Sequence, residues 1–127
     1  AWLKAYKEGL VREAERPLLL DLCLLYDSMS FFHQRLSEAG AGSEALADAF
    51  QLLVDELLEV LYRRDVVPMD PADVFDPTQH RAAQLQAASG PEQDNRIAQT
   101  LKRGFLRFEK PLRPEEVVVY RWRGAAK

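Results

Sequence analysis

The sequence has a single cysteine, Cys23, and so no disulfide of its own. A lone thiol suits a reducing compartment. No basic segment leading into an apolar core opens the chain, the layout a secretory signal needs. No apolar run approaches the roughly 20 residues a bilayer span requires. These absences predict a soluble, cytoplasmic protein. Signatures of catalysis are also scarce. Gly40 and Gly42 stand between two expected helices, without the lysine and strand of a phosphate-cradling loop. Cys23 lies in the most apolar run, where a thiol is buried and inert. His33 sits beside Phe32 as a surface or bundle residue. His80 with Asp70, Asp73 and Asp76 could be drawn as a metal cluster. It lacks the glycine and closing glutamate of a calcium loop, and aspartate before proline serves turn chemistry. No enzyme activity, cofactor or metal is expected. No repeat or low-complexity tract is present.

What is present is a 127-residue chain with net charge −3, room for one or two small domains. Its charge is uneven. Residues 1–64 hold 7 basic and 11 acidic side chains; residues 96–127 hold 9 basic and 3 acidic. A basic end on an acidic protein points to a partner with an acidic surface, or to nucleic acid.

The chain turns on residues 65–81, DVVPMDPADVFDPTQHR. Pro68, Pro71 and Pro77 forbid a continuous helix. Asp70-Pro71 and Asp76-Pro77 start turns. Apolar residues recur at helical spacing before this stretch and alternate after it. The expectation is a helical region (1–64), a Pro/Asp-rich linker (65–81) and a small β domain (82–127).

In the helical region Trp2, Tyr6 and Leu10 share one face. Pro17 predicts a kink or break near Arg16-Pro17, since a helix-interior proline costs about 3 kcal/mol or more. Leu18 to Tyr26 is apolar except at Asp21. One further helix in the same chain cannot cover so much apolar surface, and a dimeric four-helix bundle can. The alternative is a core helix beneath the β half. Expected dimer contacts are Leu18, Leu19, Leu22, Leu25, Tyr26, Met29, Phe50, Leu53 and Leu57. Ala39 to Gly42 ends the first helix. Ser43 is an expected N-cap, and the second helix ends near Arg63-Arg64.

In the β half, strands are expected at 82–88, 97–102 and 105–108, with a loop at 89–95. Gly104 predicts a bulge or a close backbone approach. Pro111 and Pro114 predict a turn carrying Leu112 and Arg113. In VVVYRWR (117–123), Val118, Tyr120 and Trp122 should face the core, with Val117, Val119, Arg121 and Arg123 outward. Residues 124–127 should fray.

Val67-Pro68-Met69-Asp70-Pro71, then Phe75-Asp76-Pro77, then His80 resembles the linker of GrpE-type nucleotide exchange factors, with a spacer one residue shorter. Leu22 to Ser28 (LCLLYDS) is similar to that family's "LLPVLDN/S" helix. Leu57 to Val67 resembles its "LLxVLxxxGV" helix end, with Asp65 in place of glycine. Lys102-Arg103-Gly104-Phe105 resembles its "QKGY", and Arg113 keeps an arginine of its "R-x-x-R-x-A-x-V-x-V" pattern. Lys110 replaces the first arginine there and Glu109 the preceding glycine; Pro114-Glu115-Glu116 replaces small residues. The resemblance implies an α+β fold, a homodimer, and a β domain that presses on the nucleotide-binding domain of a DnaK-type (70-kDa heat-shock) chaperone. The contacting arginine and valine of the family fall on Lys110 and Val119; Arg113 and Arg121 complete the expected contact set. The implied function is a co-chaperone that promotes ADP release. Two other readings stay open. One is a dimeric tethering module without exchange activity. The other is single-stranded nucleic-acid binding through Phe105, Phe108, Tyr120, Trp122 and the basic strands.

Overall fold

The computed structural model describes residues 2–40 and 42–124. The fold is α+β: two helices, then six strands. It divides into two compact units between Asp65 and Val66.

The first unit is a helix pair, α1 (Trp2–Glu38) and α2 (Glu44–Tyr62). At 1.5 Å per residue α1 is about 55 Å long. It runs unbroken through Pro17, which corrects the expected interruption. Pro17 removes one N–H, so the Glu13 carbonyl loses its helical donor while the turns on either side keep theirs. Alanine, leucine, glutamate and arginine dominate around it, and all favour helix. Gly40 and Gly42 end α1 with φ of +91° and +95°. Ser43 occupies the N-cap of α2, but its side chain makes no capping bond. The Gly42 N–H instead donates to Glu44 Oε1, 3.0 Å away.

Leu19, Cys23 and Tyr26 form the buried seam of α1; Ala47, Val54, Leu57 and Leu61 form that of α2. Steps of three, four and seven keep each seam on one helix face. The expected dimer contacts therefore separate into two sets. Leu19, Tyr26 and Leu57 are already buried within one chain. Leu18, Leu25 and Leu53 remain 61%, 48% and 55% exposed, with Leu22, Met29 and Phe50 half-buried. Leu18, Leu22, Leu25, Met29, Phe32 and Leu36 follow at steps of four and three, a second apolar stripe beside the first.

The second unit holds two three-stranded sheets, in the orders β1-β4-β5 and β2-β6-β3. The strands are β1 (Val66–Pro68), β2 (His80–Ala87), β3 (Ile97–Lys102), β4 (Phe105–Arg107), β5 (Lys110–Arg113) and β6 (Glu115–Arg121). A short 3-10 turn, Pro91–Gln93, sits in the loop before β3. Residues 125–127 of the expected frayed tail lie outside the described residues.

The stretch expected to be a linker is built into this unit. β1 pairs antiparallel with β4, Pro68 opposite Phe105. The Met69 N–H donates to the Gly104 carbonyl, and the Ile97 N–H to that of Asp73. Val66 and Met69 are core residues. The prolines and aspartates that exclude a helix are equally at home in short strands and turns, and composition alone does not separate the two. Within FDPTQH, the Asp76 carboxylate accepts the Thr78 N–H (3.0 Å) and the Thr78 hydroxyl (2.7 Å). The Asp76 N–H donates to Nδ1 of the buried His80 at 2.9 Å, and the Asp76 carbonyl accepts from His80 N–H. The motif is a self-closed turn, with the His80 ring against Phe75.

The Thr78 hydroxyl and amide hold the Asp76 carboxyl below the ordinary carboxylate range. A depressed carboxylate stabilises the fold at neutral pH, and that contribution is lost as pH falls through its folded value. Thr78→Val keeps the amide and removes the hydroxyl. It is expected to move the Asp76 titration upward in a carboxyl-detected NMR titration; an unmoved midpoint refutes this account of the turn.

β5 corrects a second expectation. Residues 110–113 are strand rather than turn, and Leu112 is buried. The turn lies one step earlier, at Phe108 and Glu109, with φ of +52° and +68°. Arg107 pairs with Lys110 across it, so this is a two-residue hairpin loop with both central residues left-handed. Asp65 is left-handed too, at φ +65°. These are two positions where the resembled pattern has glycine. Aspartate tolerates that conformation better than glutamate does. Glu109→Gly is expected to raise the stability of the β unit by about 1 kcal/mol, read as an increased urea midpoint; a decrease would show that the Glu109 side chain is needed.

Candidate functional site

Two basic places stand out on the β unit. The first is the β4–β5 hairpin tip, Arg107-Phe108-Glu109-Lys110. Its left-handed turn projects beyond the paired residues. Phe108 is exposed, with the Arg107 guanidinium 5.3 Å from its ring centre. Lys110 is exposed beside it. The second is the end of β6. Arg121 is exposed, 3.9 Å from Asp94 Oδ1, and the same oxygen accepts the Trp122 N–H at 2.8 Å. Charge in both places sits on strand ends, where backbone pairing fixes the main chain.

The other two expected contact residues are placed differently. Arg113 is half-buried and engaged inside the unit: its Nε–H donates to the Arg103 carbonyl at 2.8 Å, and its guanidinium lies 5.4 Å from the Phe105 ring centre. Its visible work is to tie β5 to the Arg103–Phe105 turn. Val119 is 1% exposed, which corrects the outward placement read from alternation. Val117, Val118 and Val119 are all buried in succession. β6 is the middle strand of its sheet and is covered on both faces there, and a strand covered on both faces loses its alternation. Exposure resumes only at Arg121.

The aromatic residues of the nucleic-acid reading do not form one open platform. Phe105 is fully buried and Tyr120 and Trp122 are half-buried; only Phe108 is exposed. Cys23 is buried. Among the described residues, no three His, Cys, Asp or Glu side chains gather as a metal-holding group. No helix among them is long and apolar enough to cross a membrane.

A family model described as GrpE matches residues 3–121, covering the helix pair and every strand. The chain belongs to the GrpE family. A protein named GrpE from Cereibacter sphaeroides is 33% identical over 115 residues, which is 85% of this chain and 64% of that protein. One from Lactobacillus acidophilus is 35% identical over 78 residues, covering 61% of this chain and 40% of the relative. One from an Acidovorax species is 31% identical over 118 residues, 91% of this chain and 61% of the relative. The chain thus spans under two thirds of the length of each of these relatives. The turn around Asp76 lies within the matched residues, as does Gly104. Sequence reasoning names Lys110 as a contact residue but places the turn at 111–114, not at Phe108-Glu109. The only signal for a turn there was Phe108-Glu109 between two short alternating runs, without the Asn-Gly or Asp-Gly that marks such turns.

Proposed function

We propose that this chain is the dimerising and chaperone-binding part of a co-chaperone, a nucleotide exchange factor for a DnaK-type chaperone in the cytoplasm. The observation that carries the reading is the family match across both units. The exposed stripe of Leu18, Leu25 and Leu53 supports a homodimer closed as a four-helix bundle. The β unit provides the chaperone contact through Lys110 at the hairpin tip and Arg121 at the end of β6. Val119 and Arg113 support these from behind, as core and as tie.

The mechanism is linkage, and no bond is made or broken. A β unit that binds the open nucleotide cleft better than the closed, ADP-bound one shifts the population toward the open state. The coupling is reciprocal, so ADP weakens the complex by the same factor. Lys110 keeps a positive charge but lacks the planar fork with which arginine holds a carboxylate through two bonds.

The test is release of a fluorescent ADP analogue from a DnaK-type chaperone, with and without the protein. Acceleration that saturates with concentration is expected. Lys110→Glu should raise the half-maximal concentration roughly tenfold or more, as reversal of an interfacial charge does, and Lys110→Arg should lower it. Acceleration unaffected by Lys110→Glu removes the hairpin tip from the contact. A tethering role without exchange is the second reading, favoured by Glu109, an acidic residue that precedes Lys110 in the chain where the resembled pattern has glycine. Under it, the complex forms equally well with and without ADP.

A further inference from the structure

Among the described residues, Asp65, Asn95, Phe108 and Glu109 hold a positive φ without being glycine. Aspartate and asparagine take that region readily; for a bulky side chain it is a true outlier. At Asp65 and Asn95 the backbone therefore has the residue type its shape calls for. At the tip of the β4–β5 hairpin it does not. Asn-Gly makes a two-residue turn of this kind with little strain, yet the chain sets an aromatic ring and a glutamate there. Strain kept at a surface position points to a use for the side chain that causes it. Phe108 does not fill the core: it is 43% exposed, whereas Phe105 in the same hairpin is fully buried. Arg107 pairs with Lys110 across the turn, so the ring stands on a fixed main chain. The Arg107 guanidinium lies 5.3 Å from the ring centre, and Lys110 is exposed on the other strand. The tip thus presents a rigid apolar group flanked by two cations.

We infer that Phe108 is the aromatic anchor of the chaperone contact, entering an apolar recess beside carboxylates on the nucleotide-binding domain. The inference rests on the reading of the chain as an exchange factor and adds a residue and a chemistry to it. A ring held on a paired hairpin has little freedom left to lose on docking. Aromatic residues and arginine are enriched in the buried centres of interfaces, and such anchors carry a large share of the binding energy. Charges around them set orientation and the rate of encounter, the part left to Lys110. Burying the ring also strengthens its contact with Arg107, since a cation over an aromatic face gains when water is removed. The strain at Phe108 is then the cost of holding the ring outward before the partner arrives.

The test compares the full chain with Phe108→Asn in two measurements. One is release of a fluorescent ADP analogue from a DnaK-type chaperone. The other is the urea midpoint of the β unit, followed by its NMR amide signals. Asparagine suits the left-handed turn and removes the ring, so stability and exchange should part company. The urea midpoint is expected to hold or rise, while the half-maximal concentration for ADP release rises roughly tenfold or more. Phe108→Tyr keeps the ring and should keep the exchange. An unmoved half-maximal concentration in Phe108→Asn overturns the inference; if Lys110→Glu still weakens exchange, the exchange-factor reading stands without it. A fallen urea midpoint in Phe108→Asn also overturns it, by assigning the ring to the fold, and so does equal weakening by Phe108→Tyr. No acceleration by the unaltered chain overturns the reading and the inference together.

Discussion

Leu25→Asp combined with Leu53→Asp is expected to dissociate the proposed homodimer to a monomer in sedimentation equilibrium. Both leucines are about half exposed in the single chain. In a monomer the replacements sit in water and change stability within about 0.5 kcal/mol. In a bundle of two copies, each would place a carboxylate among apolar side chains with no partner. A buried charge left uncompensated costs about 3–5 kcal/mol, and a two-fold axis applies each substitution twice. Dissociation over the whole accessible concentration range follows. Leu19→Asp or Leu57→Asp is a different experiment, because those side chains fill the seam within one chain and their loss disrupts the helix pair itself. An unchanged molecular mass for the Leu25/Leu53 variant would show that the exposed stripe does not close the dimer.

Gly104→Ala is expected to destabilise the β unit by about 3 kcal/mol, the upper part of the range for overpacking. An added Cβ would lie 2.5 Å from Met69 Sδ, 2.6 Å from Glu115 N and 2.9 Å from Glu115 Cα. The methionine can move, because its chain is flexible. The Glu115 backbone cannot. Its N–H is held by the Gln79 carbonyl at 3.0 Å, and its carboxylate accepts the Gly104 N–H at 3.0 Å. Urea unfolding followed by the NMR amide signals of the β unit reads the effect. Adding Met69→Ala should restore little, since the backbone clash remains. Full restoration would assign the constraint to the methionine alone.

Gly104 was legible in the sequence as a close approach, because a glycine between two alternating runs has few other reasons to be there. The α2 boundaries, the loop before β3 and the division into helical and β halves were legible for similar reasons: strong periodicity and turn residues with one structural use. The errors share a cause. Pro17 and Pro111 were each read by local preference, and each sits inside a regular element whose neighbours carry it. Val119 was read by alternation, which holds only where one sheet face meets water. The connector was read by composition, yet Val66 and Met69 are core side chains whose partners lie some 40 residues ahead, a separation no local window contains. Of the site, Lys110 and Arg121 are exposed as expected, while Arg113 and Val119 turn inward.

The position of β6 also fixes an order of assembly during synthesis. β2 and β3 do not pair with each other; each pairs only with β6. Their shared partner is the last of the strands to leave the ribosome. The helix pair can form while the rest is still being made, since its contacts are local. β2 must wait, unpaired, through more than 30 further residues. A nascent chain stalled before residue 115 would present an open strand with no place to dock, the kind of exposed edge that draws aggregation.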